Sequence, residues 1–245
     1  MGTTTKQAEQ LQPVGRRARL RAETVRDIKA IALKHLEEGG ASSITLRGIA
    51  REMGMTPSAL YSYYDTRNDL LAALIEDFCT KTADAQEAAL AKVPASDPAG
   101  RVLAVGEAFR EEAISNPAGF CLVYGEPLKG YEPADGGVLA KADRRSCLLL
   151  LGLVDGAWDH VPQEVSGADV AWSDFHPEFA DLARESFPHL PPSALAAGLR
   201  VWGRMYGLVA LEVFGRLNQE TRDPRGLYRS ELLDLIRSLG LRRTT

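Results

Sequence analysis

Two helix starts and one forced turn lie between Thr45 and Tyr64, and this punctuation limits the local fold more tightly than anything else in the chain. Thr45 can cap a helix, because a threonine oxygen at that position accepts from the free N–H groups of the first turn. Gly54 tolerates the left-handed backbone that other residues resist, so that helix must be short. Thr56 is a second N-cap, followed by Pro57 at the first helical position, where the missing N–H costs no hydrogen bond. Leu46, Ile49, Ala50, Met53, Leu60 and Tyr64 recur at helical spacing and predict one inward face shared by both helices. Two short helices braced across a tight turn form a helix-turn-helix over residues 45–64.

The flanks supply the helices that such a motif needs. Val25, Ile28, Ala32 and Leu36 form an apolar stripe on a helix expected from about Arg21 and stopped by Gly39-Gly40. Downstream, Thr66 and Asp69 have the spacing of a capping box and open a longer helix through Leu70, Leu74 and Phe78. The expected organisation is therefore a flexible basic arm over 1–20, a helix-turn-helix unit over 21–66, and a connecting helix plus a larger helical domain over 67–245. Prolines and glycines divide the larger part: Val93–Gly100, Asn116-Pro117, Pro127–Gly137, Pro162–Gly167 and Pro188–Pro192 separate helix-length segments. One such segment is Arg101–Ser115, and the last two, about Ser193–Leu217 and Arg225–Leu239, are long and apolar enough to form a dimerising pair. No sustained period-two alternation occurs, so the predicted class is all-α.

Charge is unevenly divided. The net charge is −4, yet residues 1–70 carry 11 Lys/Arg against 8 Asp/Glu, a net +3, leaving 18 against 25, a net −7, for the rest. Arg16, Arg17, Arg19 and Arg21 concentrate the positive charge just before the first predicted helix, as an arm that meets phosphates would. The longest apolar run, Cys147–Val154, is far too short to span a bilayer, and the polar start lacks the apolar core of a secretion signal, so a cytoplasmic protein with no membrane partner is expected.

Catalytic and metal chemistry lack their usual spacing. His35, His160, His176 and His189 form neither H-x-x-x-H nor H-E-x-x-H, and Cys79, Cys121 and Cys147 form no C-x-x-C pair; three reduced, packed thiols and no metal are expected. Asp155 with Asp159, and Asp174 near His176, are pairs common on solvated helices. Nucleophile-elbow, dinucleotide and P-loop patterns are absent, so neither a catalytic residue nor a cofactor is expected.

Within the helix-turn-helix, Ser58, Ala59, Ser62 and Tyr63 are left to face outward. Small and hydroxylic residues permit close approach to base edges in the major groove, with hydroxyls that donate or accept and a methyl that can touch thymine. Thr45, Tyr61 and Arg67 are expected on flanking phosphates, together with the N–H groups at the helix start, and Arg47 and Thr56 complete the DNA-facing set. The run Thr45-Leu-Arg-Gly-Ile-Ala-Arg-Glu-Met-Gly54, then Thr56-Pro-Ser-Ala-Leu-Tyr-Ser-Tyr-Tyr64, then Arg67-Asn-Asp-Leu70 resembles the TetR family signature over roughly residues 21–80. That resemblance implies a homodimer on a near-palindromic double-stranded operator, a helical ligand-binding domain, and repression relieved by a small molecule. Arg67 stands where the family usually has Lys, and Tyr64 where Phe is more common. Gly48, inside the first of the two helices, costs about 0.5–1 kcal/mol relative to alanine, and nothing in the sequence explains it.

Near the C-terminus, Trp202-Gly-Arg-Met-Tyr206-Gly207, followed by Leu211-Glu212-Val-Phe214-Gly215, is similar to a Trp-x-x-x-His-Gly motif of one TetR subgroup, with Tyr206 replacing the histidine. Phe109, Phe120, Tyr124, Trp158, Trp202 and Tyr206 are the candidate lining of a pocket for an apolar or aromatic effector. Core or dimer packing is the competing use of each ring. The alternative to a regulator is an all-α small-molecule-binding protein or enzyme with a vestigial helix-turn-helix.

Overall fold

The computed structural model describes residues 15–125, 131, 138–162, 164 and 169–242. Among them are ten α-helices and no strand: α1 (Arg16–Gly39), α2 (Leu46–Glu52), α3 (Pro57–Tyr61), α4 (Arg67–Leu90), α5 (Pro98–Ser115), α6 (Pro117–Tyr124), α7 (Val138–Ala157), α8 (Pro177–Ser186), α9 (Pro192–Val213) and α10 (Pro224–Ser238). The all-α expectation holds. The chain divides into two compact units, residues 1–70 and 71–245.

The first unit is built around a small core. Ile28 and Ala32 of α1, Ile44, Leu46, Ile49 and Ala50 around α2, and Leu60 of α3 are fully or almost fully buried, and Tyr64 joins them. Helix α1 starts at Arg16, earlier than the expected Arg21, so the arginines of residues 16–20 lie on a helix instead of in an arm. Arginine is a good helix former, and the chain simply continues the helix until Gly15. The rest of the expected arm, residues 1–14, lies outside the described residues.

In the second unit, α9 packs against α5, α7 and α10, and α10 packs against α5. Three helix starts share one pattern. Asp97, Asn116 and Asp223 each precede a proline at the first helical position and accept from the N–H of a glycine three residues on, Gly100, Gly119 and Gly226. The cap satisfies an otherwise free donor, and the proline gives up an N–H that had no partner. Helix α5 therefore opens at Pro98, not Arg101. The breaks expected at Pro127–Gly137 and Pro162–Gly167 lie mostly outside the described residues.

Polar ties fix the helices in register. Arg110 of α5 forks onto Glu212 of α9, Nε to Oε2 at 2.8 Å and Nη2 to Oε1 at 2.5 Å. Arg204 of α9 reaches Glu231, Asp234 and Ser238 of α10. The buried Tyr228 hydroxyl donates to the Gly106 carbonyl at 3.0 Å, and its burial pushes the phenol pKa well above the ordinary range. At Gly106, a Cβ would lie 2.5 Å from Leu232 Cδ2, so α5 and α10 meet where only glycine fits. Leu232 is fully buried, so its side chain would have to shift within the core to admit a Cβ. Gly106→Ala is expected to destabilise the protein by about 1–3 kcal/mol through overpacking. Gly156→Ala, in open space on α7, should be neutral or stabilising by up to about 1 kcal/mol. Denaturant midpoints of the two variants check this contrast.

Candidate nucleic-acid interface and internal cavity

The helix-turn-helix forms by the chemistry its sequence advertises. Thr45 Oγ1 accepts from Gly48 N at 3.1 Å, and Thr56 Oγ1 accepts from Ala59 N at 3.2 Å. Gly54 has φ +66°, which turns the chain between α2 and α3. A Cβ on Gly48 would stand 2.7 Å from Thr45 Oγ1, so its absence leaves the cap hydroxyl in place. That contact supplies the reason for Gly48 that the sequence lacks.

Helix α3 ends at Tyr61, and Ser62 and Tyr63 occupy the turn after it. Ser58, Tyr61 and Ser62 are exposed, Ala59 and Tyr63 half-buried, and Thr45, Arg47 and Thr56 exposed on the same motif. The Ser62 hydroxyl donates to Ala59 O at 2.7 Å, which leaves it able to accept from a base. Arg21, expected among the phosphate-meeting arginines, also braces the motif itself. Its guanidinium lies 4.7 Å from the centre of the Tyr63 ring and donates from Nη2 to Ser62 O at 3.0 Å. The helical periodicity of α1 could have hinted at this, but the partner is 41 residues away. A cation–π contact and a hydrogen bond thus join the basic end of α1 to the turn that carries two proposed readers.

Arg67, expected on phosphate, is engaged internally. Its Nε donates to Ile44 O at 3.0 Å and its Nη2 to Ala41 O at 2.6 Å. The rigid guanidinium fork ties the start of α4 to the segment that leads into α2, a geometry lysine cannot reproduce. The expected capping box is present beside it: Asp69 N donates to Thr66 Oγ1 at 3.1 Å, and Thr66 N donates to Asp69 Oδ2 at 2.8 Å.

Helices α1 and α2 are also joined ionically. Glu52 accepts from Lys34 Nζ and pairs with His35 Nε2, each at 2.8 Å. The hydrogen bond from Lys34, and then that from His35, hold the Glu52 carboxyl below its usual range, while the same bond raises Lys34. A depressed carboxylate stabilises the fold above the ordinary carboxylate range, and that contribution is lost as pH falls through its lowered value.

The second unit holds a partly open cavity of about 330 Å³. Phe78, Cys79, Thr82 and Gln86 line it from α4, Phe109 from α5, Tyr124 from α6, and Gly198, Leu199, Trp202 and Met205 from α9; Ser146, Cys147, Leu150 and Leu151 of α7 and Phe179 of α8 complete the described walls. No Asp, Glu, Lys, Arg or His is among the described lining residues. Of the six aromatics expected there, Phe109, Tyr124 and Trp202 line the cavity. Phe120 is fully buried behind it, stacked on Tyr206 with centroids 5.8 Å apart, and Tyr206 in turn stacks on Trp202 at 5.7 Å. Trp158 sits on a short 3₁₀ turn after α7 and does not line it. Phe78, which its helical spacing places in the α4 core, lines it too, and Thr82, Gln86 and the α7 residues carry no aromatic signal in the sequence. None of the three cysteines is in a disulfide, and among the described residues no cluster is suited to hold a metal. None of the described helices is long and apolar enough to cross a membrane.

A capped helix-turn-helix on one unit and an apolar cavity in an all-helical second unit define a helix-turn-helix DNA-binding regulator. Residues 28–74 match the family described as bacterial regulatory proteins, tetR family, and residues 102–235 match the tetracyclin repressor-like C-terminal domain. The chain belongs to the TetR family of transcriptional regulators, which is not an enzyme family. It is 28% identical over 211 residues to the HTH-type transcriptional regulators Rv1816 of Mycobacterium tuberculosis and Mb1846 of Mycobacterium bovis, covering 83% of this chain and 86% of each relative. The solved structure of SCO4313 is 30% identical, with a TM-score of 0.71 over 91% of this chain and 99% of that one. PfmR of Thermus thermophilus, a TetR family transcriptional regulator, shares the fold at 17% identity and a TM-score of 0.57, over 88% of this chain and 99% of that one.

The Arg67 geometry gives a direct test. Arg67→Ala removes two hydrogen bonds from a charged donor and should lower the stability of the first unit by about 1.5–3 kcal/mol. Arg67→Lys should recover only a minor part of that loss. Thermal unfolding followed by circular dichroism measures both, and wild-type stability of the alanine variant would show that the fork carries no structural weight.

Proposed function

We propose that the protein is a homodimeric repressor that binds a near-palindromic double-stranded operator and is released by a small, largely apolar effector. The observation that carries this reading is the cavity of about 330 Å³ with no charged residue among its described lining. A volume in the range of small-molecule sites, apolar walls and a few polar groups suit an apolar effector. Helix α4 begins in the first unit and supplies Phe78, Cys79, Thr82 and Gln86 to the cavity wall, so effector binding can bias the position of the DNA-binding unit through one element. As a regulator of transcription, it acts in the cytoplasm.

On DNA, Ser58, Ala59, Ser62 and Tyr63 are the base readers, with Arg21 steadying Tyr63. Thr45, Arg47, Thr56 and Tyr61 meet phosphates, and Arg67 contributes chiefly by holding α2 and α3 in place. Exposed Leu199, Trp202, Leu211 and Phe214 on and just after α9, with Leu227 on α10, support pairing of two copies through the last two long helices. Two such copies place their recognition helices on half-sites about one DNA turn, or ~34 Å, apart.

Gel shifts with DNA flanking the protein's own gene test the reading. Binding that is salt-sensitive but indifferent to sequence would overturn operator recognition. Tyr63→Ala is expected to change base preference by about 1–3 kcal/mol at the contacted position, whereas Tyr63→Phe keeps the ring under Arg21 and should retain most of it; competition binding against single-base operator variants measures this. Leu211→Glu should convert the dimer to monomer in sedimentation velocity and, by removing the second half-site contact, weaken operator binding at least tenfold. A stable dimer in that variant would place the interface elsewhere.

A further inference from the structure

The cavity is apolar but carries one polar edge. Thr82 and Gln86 both line it from α4, one helical turn apart, and are only 5% and 6% exposed. The Thr82 hydroxyl has no hydrogen-bond partner among the described residues. A buried hydroxyl without a partner is costly, and its retention beside a cavity implies that something else satisfies it. Threonine on a helix has two accessible χ1 rotamers, so the hydroxyl can turn toward whatever the cavity holds.

The remaining walls point the same way. Phe78, Phe109, Tyr124 and Trp202 offer ring faces and edges, and Leu150 and Met205 offer aliphatic surface. An ionised ligand group would enter without a counter-ion among the described lining residues, at a cost far exceeding that of a neutral group.

We infer that the effector is an uncharged molecule with an aromatic or aliphatic body and one hydroxyl or carbonyl head, the head read by Thr82 and Gln86. The inference rests on the cavity being the effector site. Its volume of about 330 Å³ lies at the lower end of the range for small-molecule sites, which suits a compact ligand. The head's hydrogen bond falls on the Thr82 hydroxyl, with the Gln86 amide as second partner. The body is held by burial, and no described lining residue would neutralise a carboxylate or an ammonium.

Four probes of one size and different heads test this on the full chain: phenylbutanol, butylbenzene, phenylbutyrate and phenylbutylammonium, titrated calorimetrically. Phenylbutanol should bind at least tenfold more tightly than either ion. Thr82→Val replaces the hydroxyl with a methyl of the same shape; it should reduce the ratio of phenylbutanol to butylbenzene affinity about fivefold, a typical loss for one hydrogen bond. Its thermal midpoint without ligand should stay level or rise, because an unsatisfied hydroxyl is gone. Thr82→Ser keeps the hydroxyl and should restore the ratio. Tighter binding of either ion, or an unchanged ratio in Thr82→Val, would overturn the polar-edge inference while leaving the cavity as an apolar effector site. Failure of all four probes to bind would overturn that reading itself, and the inference with it.

Discussion

Phe120 sits where four helices meet, and the second unit takes its form from what its ring can accept. It is fully buried, with Phe78 of α4 at 6.2 Å, Phe109 of α5 at 6.2 Å, Tyr124 of its own helix at 4.8 Å and Tyr206 of α9 at 5.8 Å. Aromatic pairs favour edge-to-face and offset arrangements, so a cluster of this kind sets helix separations that aliphatic side chains would let collapse. The cavity lies alongside that cluster and shares three of its members, Phe78, Phe109 and Tyr124. The same packing that stabilises the unit therefore keeps open the space in which an effector can bind. The Arg110–Glu212 fork and the Tyr228–Gly106 bond hold α5 to the last two helices around it.

The first unit meets a different constraint. Its helices α2 and α3 are too short to be stable alone, and their ends leave many free backbone donors. Thr45 and Thr56 answer this at the two helix starts, and Arg67 and Glu52 supply longer-range ties. With α2, α3 and the turn after them held from three sides, the outward residues of a five-residue helix can be presented to DNA without ordering on arrival.

Much of this was legible in the sequence, and the parts that were not share a physical reason. The buried set Leu46, Ile49, Ala50 and Leu60, both threonine caps and the Thr66–Asp69 box are local patterns, decided within four or five residues. Pro98 and Gly100 read as breakers in the sequence, which sets the expected start of α5 too late; next to Asp97 they are instead a helix start, proline at the first position and glycine under the cap. The internal role of Arg67 is not legible locally, because its carbonyl partners, Ala41 and Ile44, are brought to it only by the folded chain. Half of the aromatics proposed for the cavity do line it, while Phe120 and Tyr206 form its backing. The polar edge at Thr82 and Gln86 was invisible, since a buried hydroxyl without a partner is a property of three-dimensional surroundings.

Helix α4 runs from the helix-turn-helix unit into the unit that holds the cavity. A ligand can shift DNA binding only by the difference in its affinity for the two states of the protein, so the coupling is itself measurable. The most direct measurement is fluorescence anisotropy of the full-length protein on an operator selected from random duplex DNA, at one fixed salt concentration, with and without saturating phenylbutanol. The account predicts that the ligand weakens operator binding by roughly 5- to 150-fold. Superimposable binding curves, with calorimetry showing the cavity filled, would contradict it.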